Sequence, residues 1–424
     1  MQLTLAIHRI SEIRFGKGMR LDGNVLVIDA DEIRRVVLED SAIESVDFAI
    51  VRPGESCRAG PVFDIVEPRA KAPGGSPDWP GILGAPQTVG HGTTHVLEGA
   101  AVTLLREQSP GETRGATGYV LEMGGAPAAG SQYASLHHLI VVPHTKADLP
   151  MHSRHKSYRS AQLKVAVELA RASFQAEPDR SEEFDIFTSD DREGLTRVAY
   201  VGQIFSRQRR PEPGEPILYG ADTDGMLPTL LHPNEWLDGA LVPSYHTSLG
   251  GAETYFYQNH PVIAELYRCH RARELNFCGT VATIASAENF DRDRNTRFAA
   301  NLVKWSLKAE AAVLTKFGGG VPHTDLSETA RLLECDGIKT AVQVTDLARD
   351  QRVESALLFN FPEVNAIVCI GGNSTQWKLP AVDRVIAANS GLAELLAGPF
   401  EIDSHNVIGV ANQQGASRLR SMVY

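Results

Sequence analysis

The spacing of apolar positions divides the chain into two regions with different rhythms. In the first region, short apolar runs alternate with stretches rich in Gly and Pro, a pattern typical of strands joined by turns. The runs lie at residues 25–28, 48–51, 102–105 and 139–142. Residues 71–86 contain too many Pro and Gly for a helix interior, so they predict a long loop.

The second region has a βα rhythm. An amphipathic helix is predicted at 157–174, where Leu163, Val167 and Ala170 recur at helical spacing. From about Arg197 onward, strand-like runs alternate with helix-like runs, which favours βαβ units. The predicted strands are 198–201, 240–242, 277–284, 311–315, 340–344 and 366–370, and the predicted helices are 261–275, 295–309, 325–335 and 350–360.

These patterns predict an α/β protein. We expect an N-terminal β-rich domain over 1–150, a helix and linker over 151–195, and an α/β domain with a mostly parallel sheet over 196–424. Ligands of open α/β sheets bind beyond the carboxyl ends of the strands. Loops 243–248, 316–320 and 371–375 each follow a predicted strand, so we expect all three to face one crevice.

Composition and charge limit the kinds of binding partner and the cellular compartment that we expect. The formal net charge is −11 and no basic stripe is present, which argues against nucleic acid or an anionic membrane. No apolar run approaches the ~18 residues of a spanning helix, and the N-terminus lacks the apolar core of a signal peptide. The five Cys are scattered and never in CxxC spacing, so we expect reduced thiols in a cytoplasmic protein. A homo-oligomer is expected on general grounds.

The glycine-rich loop after the predicted strand 311–315 is a candidate anion site. Gly318, Gly319 and Gly320 would let a ligand approach the backbone, and the helix that follows favours a negative charge. His323 and Asp325 are candidate catalytic groups, although Asp325 with Glu328 also resembles a capping box. No GK[ST] or GxGxxG motif is present, so no nucleotide cofactor is expected.

Histidines are concentrated in the first region, where seven of the 14 lie between residues 91 and 155. Imidazole is the commonest side-chain metal ligand, so a divalent metal, with zinc as the first choice, is a hypothesis for this cluster. The alternative is a set of hydrogen-bonded or surface histidines. The candidate ligands are His91, His95, His137, His138 and His152.

Three further residues are candidates for substrate contact. Arg52 and Glu55 flank a rigid Pro-Gly turn and could supply a carboxylate clamp and a general base, or could form structural ion pairs. Tyr245 lies near other aromatic residues that could hold an ammonium group, or that simply pack. With Gly372 and Asn373 as carboxylate-binding groups, these complete the predicted substrate site.

Several uncommon sequence motifs in the chain resemble those of a known protein family. RPGES (52–56), DIVEPR (64–69), LPTLLHPNEWLDGA (227–240), YQNHPVI (257–263) and LNFCGT (275–280) resemble the component B proprotein of glycine/sarcosine/betaine reductase. The resemblance implies a chain that cleaves before a Cys, which becomes a pyruvoyl group. It also implies a substrate amine that forms a Schiff base with this group, and a partner subunit that carries selenocysteine or cysteine.

The residue that matches the pyruvoyl-forming Cys is close to Tyr245. Tyrosine has no nucleophile on Cβ, so it cannot undergo the acyl shift and β-elimination that this chemistry needs. Pyruvoyl formation is therefore not expected, although Ser244, Thr247 and Ser248 lie nearby and serine can supply the same nucleophile.

These observations led us to expect a metal-dependent hydrolase or lyase on a reductase-type scaffold. It would use metal-bound water to break a C–N or C–S bond in a small amine, amide or thioamide carboxylate, for example by hydrolysis or desulfuration of a (thio)hydantoin. Two alternatives stay open. One is a reductase-type subunit that uses a Ser-derived pyruvoyl or a partner thiol, and the other is a non-catalytic scaffold subunit.

Overall fold

The computed structural model describes most of the chain, and all structural statements concern these parts. They are residues 1–107, 118–186, 194–207, 215–245, 253–346, 362–364, 366–372, 376–412, 414–415 and 422–423.

The strands alternate with helices chiefly in the second half of the chain. The strands of the first half are β1 (Leu3–Arg9), β2 (Glu12–Phe15), β3 (Arg20–Asp22), β4 (Val25–Ile28), β5 (Ile43–Val51), β6 (Cys57–Ala59), β7 (Val62–Val66), β8 (Arg69–Lys71), β9 (Gly92–Glu98), β10 (Ala100–Leu105), β11 (Leu121–Glu122), β12 (His137–Thr145), β13 (Arg180–Phe184) and β14 (Arg197–Arg207). The later strands are β15 (Thr229–Leu231), β16 (Asn276–Ser286), β17 (Ala311–Thr315), β18 (Lys339–Asp346), β19 (Ala366–Gly372), β20 (Gln376–Leu379), β21 (Arg384–Ile386), β22 (Phe400–Asp403) and β23 (Met422–Val423).

The helices include one long helix and several short ones. They are α1 (Ala30–Val37), α2 (Gly125–Gly130), α3 (Met151–Arg171), α4 (Pro233–Leu237), α5 (Thr254–Gln258), α6 (Pro261–Arg271), α7 (Asn289–Asn301), α8 (Val321–Cys335) and α9 (Ser390–Ala397). A π-helix, Leu302–Ser306, continues α7.

The N-terminal region contains two four-stranded sheets packed around α3. Their strand orders are β13-β1-β9-β8 and β5-β12-β10-β7. Strands β7 and β10 are buried at every position, which explains why they are almost continuously apolar. Leu163 and Val167 of α3 join Val102 and Leu139 in one core.

The C-terminal region is built on a seven-stranded sheet in the order β15-β16-β14-β17-β18-β19-β23. Its five central strands are parallel, and α7 and α8 connect β16 to β17 and β17 to β18 as βαβ crossovers. Helices α7 and α8 cover one face in a core with Val201 and Leu314. Helix α6 covers the other face, where Ile263 and Leu266 pack in a core with Tyr200.

The end of the chain returns to the N-terminal region. Strand β21 pairs in parallel with β6, far away in sequence. The fully buried Arg58 forms an ion pair with Glu122 at 2.6 Å and donates to the backbone oxygens of Pro380 and Gly398. The last part of the chain therefore contributes a strand and backbone contacts to the N-terminal region.

The predicted fold class is confirmed: the protein is α/β, its first half is rich in strands, and its second half carries a mostly parallel sheet. Three details differ or fall outside the description. The long helix starts at Met151, directly after Pro150, rather than at Ser157. Residues 240–242 are not a strand of the parallel sheet, because Gly239 has a φ of 96° and only Leu241 makes an isolated bridge. The predicted helix 350–360 and the loop residues 373–375 lie outside the described residues.

Candidate functional site

The segment that resembles the family's cleavage loop begins in the protein interior. Ser244 is 1% exposed and Tyr245 is 4% exposed. The described chain resumes at Glu253 and Thr254, which are also buried. Both ends of this segment are therefore held inside the protein, and their contacts identify the groups that hold them.

A buried ion pair between Asp64 of β7 and Arg159 of α3 fixes both ends at once. Asp64 accepts a hydrogen bond from the Thr254 backbone N–H at 2.9 Å and from the Thr254 hydroxyl at 2.5 Å. Arg159 Nη2 donates to the carbonyl oxygen of Pro243 at 3.0 Å. Asp64 and Arg159 are no more than 1% exposed, so their charges act with little screening by water.

The carboxylate of Glu215 contacts the two residues that follow Pro243. It accepts a hydrogen bond from the Ser244 hydroxyl and another from the Tyr245 backbone N–H. Glu215 itself is fully buried. The Ser244 hydroxyl thus contacts a proton acceptor, while the carbonyl of the preceding residue contacts a cation.

Tyr245 contributes packing at this position. Its ring lies 6.2 Å from that of Phe63 and 5.6 Å from that of His155, measured between centroids. The Arg159 guanidinium lies 5.9 Å from the Tyr245 ring centroid. The ring therefore covers the Asp64–Arg159 pair, and the predicted cation–π partner of Tyr245 is a side chain of the protein itself.

Two further buried ion pairs continue this polar layer along β7 and β8. Arg69 pairs with Glu67 at 2.6 Å, and Gln258 hydrogen-bonds both backbone groups of Glu67. Lys71 pairs with Asp238. The motifs DIVEPR, HPNEWLDGA and YQNHPVI, which resemble the family, are therefore in contact. They form one buried network that joins the two regions of the chain.

Hydrogen bonds connect His260, the residue that follows Asn259, to the parallel sheet. The Tyr200 hydroxyl lies 3.0 Å from His260 Nε2 and 2.7 Å from Thr315 Oγ1. Thr315 ends β17, and the next residue is the fully buried Lys316, whose ammonium donates to the Gly318 oxygen at 2.6 Å. Burial lowers the pKa of Lys316 to about 8.

The predicted catalytic pair His323 and Asp325 lies at the carboxyl edge of this sheet. Both are buried in the first turns of α8. Burial, followed by the charge of Lys316, lowers the pKa of His323 to about 3. Burial raises the pKa of Asp325 to about 7, although the Ser286 backbone N–H donates to its carboxylate at 3.1 Å and opposes the shift. These titratable groups remain candidates for a role at the sheet edge.

The predicted metal ligands do not form one cluster. His91 and His152 are exposed, whereas His138 is buried and contacts Thr103 Oγ1 at 2.8 Å and the Tyr133 oxygen at 2.9 Å. His137 and His138 are consecutive in β12 and so project to opposite faces.

His95 stacks on His8, with 3.1 Å between His95 Nδ1 and His8 Nε2. In the parts of the chain that the structure describes, no group of three His, Cys, Asp or Glu side chains could hold a metal. A zinc site therefore has no support from the geometry.

The other predicted substrate contacts lie apart from the buried layer. Arg52 and Glu55 form an ion pair at 3.4 Å near the surface, and Glu55 also contacts Arg384 at 3.3 Å. Gly318 and Gly320 have positive φ angles and lead into α8, with Gly319 between them. Gly372 ends β19 opposite Asp346, and Asn373 is outside the described residues. Their proposed roles stay predictions.

Comparison with known proteins decides the family. The profile of the family described as glycine/sarcosine/betaine reductase component B subunits matches residues 1–415. The chain belongs to this family.

Several curated component B proteins are similar to this chain over most of their length. It is 28% identical over 438 residues, covering both chains completely, to glycine reductase complex component B subunits alpha and beta from Peptoclostridium acidaminophilum. It is 30% identical over 403 residues, 93% of this chain and 89% of the relative, to betaine reductase complex component B subunit alpha from the same organism. No solved structure matches.

Family membership corrects the predicted activity. The relatives are subunits of reductase complexes, so the prediction of a metal-dependent hydrolase or lyase, including hydantoin hydrolysis and desulfuration, is wrong. The error came from treating a local excess of histidines as one site, although the strands distribute these side chains over different faces. The alternative of a reductase-type subunit fits the relatives better.

Sequence reasoning missed the groups that hold the cleavage-loop segment. The sequence patterns do not single out Glu215, Arg159 or Thr254 as functional residues. Asp64 appears in them only as part of the motif DIVEPR. A usable signal was present, because Asp64 is a charged residue within the otherwise apolar run VFDIV. A charge in such a strand needs a buried partner.

The structure also bears on the question of membrane insertion. Among the described helices, none combines the length and the apolar character needed to span a bilayer.

Proposed function

We propose that this chain is the substrate-activating subunit of a reductase-type complex. It would act on a small carboxylate that bears an amine, together with a partner subunit, in the cytoplasm. Similarity over residues 1–415 to component B subunits supports the reductase class. The observation that carries the proposal further is the buried arrangement of Glu215, Ser244 and Arg159 around the Pro243–Ser244 peptide bond.

In this proposal Ser244 supplies the nucleophile on Cβ that Tyr245 lacks. The fit of a pyruvoyl group can be tested on two observations. The Ser244 hydroxyl already donates to a buried carboxylate, and the Pro243 carbonyl already accepts from a buried guanidinium. A nucleophile on Cβ, a base and a stabilised carbonyl oxygen are the groups that an N-to-O acyl shift requires. The residues therefore fit formation of the group at Ser244.

The chemistry balances without an oxidant or a reductant. Ser244 Oγ adds to the Pro243 carbonyl carbon as its proton passes to Glu215, and Arg159 stabilises the negative charge on oxygen. The Pro243–Ser244 C–N bond then breaks, and the amine takes up the proton. Loss of the Ser244 Cα proton expels the Pro243 carboxylate, and water replaces ammonia at Cα. When formed, the group would supply an electrophilic carbonyl for the substrate amine.

The names of two relatives agree with this proposal. A single chain, similar in length to this one, is described as "subunits alpha and beta". Cleavage between Pro243 and Ser244 would likewise divide this chain into two fragments.

Intact-mass spectrometry of the purified full-length chain tests the proposal. We expect fragments 1–243 and 244–424, the second lighter by one ammonia than a peptide that begins with serine. Ser244→Ala should remain a single chain, and Glu215→Gln should be cleaved at least ~10²-fold more slowly. Tyr245→Phe is the matched control and should be cleaved like the wild-type chain, because only its backbone N–H contacts Glu215.

A second measurement tests whether the carbonyl of the Ser244-derived pyruvoyl group reacts with a substrate amine. Labelled glycine and sodium borohydride should attach label to fragment 244–424, whereas labelled betaine, which has no N–H, should not. An uncut wild-type chain that does not react with carbonyl reagents would exclude the Ser244-derived group. Reduction of glycine, sarcosine or betaine by the isolated chain, with a simple thiol and no partner, would contradict the need for a second subunit.

A further inference from the structure

Helix α7 and the π-helix that continues it carry an unusual set of exposed aromatic residues. Phe290 is 78% exposed, Trp305 is 66% exposed and Phe298 is 42% exposed. By contrast, Trp79 and Trp236 are at most 5% exposed. Large exposed aromatic side chains that share one surface mark interaction sites more often than isolated ones do.

These aromatic residues lie on the side of the helix that the fold does not use. The buried positions of α7 are Asn295, Thr296, Ala299 and Ala300, and Val303 continues the same side. Ala299, Ala300 and Val303 pack in one core with residues of α8, β14 and β16. Phe290, Arg294, Arg297, Asn301 and Trp305 instead recur every three or four residues and form the opposite face. The exposed aromatic residues therefore do not hold α7 on the sheet.

The same segment differs in charge from the rest of the chain. Residues 289–308 contain five basic and two acidic residues, a net charge of +3 in a chain of net charge −11. The Arg294 guanidinium lies 5.9 Å from the Phe290 ring centroid. Tryptophan and arginine are the residues most enriched among those that dominate binding energy at protein interfaces. The face thus combines apolar anchors with Arg297 and with Arg294, which also pairs with Asp291 at 3.0 Å.

We propose that this aromatic face, consisting of Phe290, Arg294, Arg297, Phe298 and Trp305, binds an acidic, partly apolar surface of a partner subunit in the reductase-type complex. The proposal rests on the proposed function for the existence of that partner. The relatives are described as components of complexes, which favours a different subunit over a second copy of this chain. The positive charge defines the chemistry of the surface that it fits.

The position of the face also suits a subunit that must reach the parallel sheet. Helix α7 starts three residues after β16 ends at Ser286. The Ser286 backbone N–H contacts Asp325 at the carboxyl edge, and the nearby Arg292 charge lowers the Asp325 pKa against the dominant effect of burial. A partner on this face would therefore sit beside the edge where open α/β sheets bind ligands.

The experiment compares tagged full-length chains expressed in the organism that encodes them. The test variant is Phe290→Ser/Phe298→Ser/Trp305→Ser. The control variant is Phe15→Ser/Leu38→Ser/Leu395→Ser, which removes three side chains of 39–44% exposure elsewhere. A stoichiometric protein should co-purify with the wild type and the control, and be lost from the test variant. That protein is then identified, purified and titrated against the chain.

The titration gives the decisive result. Binding of the purified partner should change the fluorescence of Trp305, with a signal that disappears in Trp305→Phe. Arg294→Glu/Arg297→Glu should weaken binding by about tenfold or more, with a smaller salt dependence than the wild type. This charge-reversal variant keeps the aromatic side chains, so it tests the face even if the triple variant folds poorly.

The other outcomes distinguish failure of this binding-face proposal from failure of the proposed function. A partner that binds the triple variant and the charge-reversal variant as tightly as the wild type would overturn this proposal and leave the proposed function intact. If the protein lost from the test variant is a second copy of the chain, as native mass spectrometry would show, the partner subunit is not the occupant. If no variant, including the wild type, binds another protein, the partner required by the proposed function is itself excluded.

Discussion

At the scale of single residues, the protein places charged side chains where its strands are otherwise apolar. Asp64 and Arg159 illustrate the consequence, because each is buried and each compensates the charge of the other. Transfer of either charge alone out of water would cost several kcal/mol. Such a pair adds little net stability, but the loss of one partner is costly, and the pair fixes the position of everything that it touches.

Replacing Arg159 with Met should therefore destabilise the protein by about 3–5 kcal/mol, since an uncompensated Asp64 carboxylate would stay buried. The measurement is the urea midpoint at neutral pH. Arg34→Met is the matched control: Arg34 pairs with the 86% exposed Asp31, so its replacement should cost less than about 1 kcal/mol. Equal losses for the two variants would contradict a special role of burial.

Buried histidines predict how stability depends on pH. Burial lowers the pKa of His138 to about 4 and that of His260 to about 3. In the unfolded chain these imidazoles titrate near their ordinary pKa of 6.5. Their contribution to stability is therefore present above pH 6.5 and is lost as pH falls toward 4.

We expect the free energy of unfolding to fall between pH 6.5 and 4, by about 1.4 kcal/mol per pH unit for each such histidine. Urea unfolding at pH 7.5, 6 and 5 measures this slope. His138→Asn should reduce the slope, even though it lowers the stability at pH 7.5 by removing the contact with Thr103. An unchanged slope would mean that His138 does not contribute to it.

The sequence shows which residues are unusual but not which residues meet. Asp64 is a charged residue within the apolar run VFDIV, whereas Arg159 has the sequence context of an ordinary polar residue in an amphipathic helix, and only the fold brings it to Asp64. The five candidate metal ligands show the converse error. Their spacing in sequence is short, but strand alternation and the separation of β9, β12 and α3 keep them apart.

At the scale of elements, apolar runs with clear ends were predicted best. Strand β17 has the predicted bounds because the apolar run AAVLT lies between Glu310 and Lys316. Helix α8 starts at Val321, four residues before the predicted start, since Gly320 adopts a positive φ and Pro322 fits the first turn. The run 240–242 is equally apolar, but it packs as irregular chain between Gly239 and Pro243.

The long loop 71–86 makes a close backbone contact that only glycine allows. A Cβ on Gly81 would lie 1.9 Å from the Tyr219 oxygen, whereas a Cβ on Gly74 would meet nothing within 4 Å. Both glycines have a φ slightly above 80°. Ala at either position carries the same backbone strain of about 1–2 kcal/mol, and only Gly81→Ala adds a clash.

Gly81→Ala should therefore lower the thermal midpoint clearly more than Gly74→Ala does. Differential scanning calorimetry of the two variants beside the wild type isolates the clash, because the strain is common to both. Equal midpoints would show that the contact between this loop and Tyr219 is dispensable.

At the scale of the whole molecule, the two halves of the chain are interleaved. Asp238, Thr254 and Gln258 contact Lys71, Asp64 and Glu67 respectively, on the segment that runs from β7 to β8. Strand β21 completes a sheet with β6 and β11. The domain boundaries 1–150, 151–195 and 196–424 stay a prediction, and these contacts cross them. Composition and periodicity carry no information about such crossings.

A chain cut within 246–252 should therefore remain one particle. We expect both fragments of a chain nicked there by a site-specific protease to co-elute in gel filtration, and to separate only in denaturant. Replacing Arg58, which binds the backbone oxygens of Pro380 and Gly398, with Met should weaken this association. Spontaneous separation of the wild-type fragments in native buffer would contradict the interleaved arrangement.

The pairing of β6 with β21 also sets an order of events during synthesis. A ribosome makes the N-terminal region first, but Arg58 and β6 lack their C-terminal partners until residues 380–398 have emerged. The Asp64 carboxylate similarly gains its contacts with Thr254 only after the segment around Ser244 has been made. The N-terminal region therefore gains its last strand, β21, only after Ser244 and all the groups that contact it have left the ribosome.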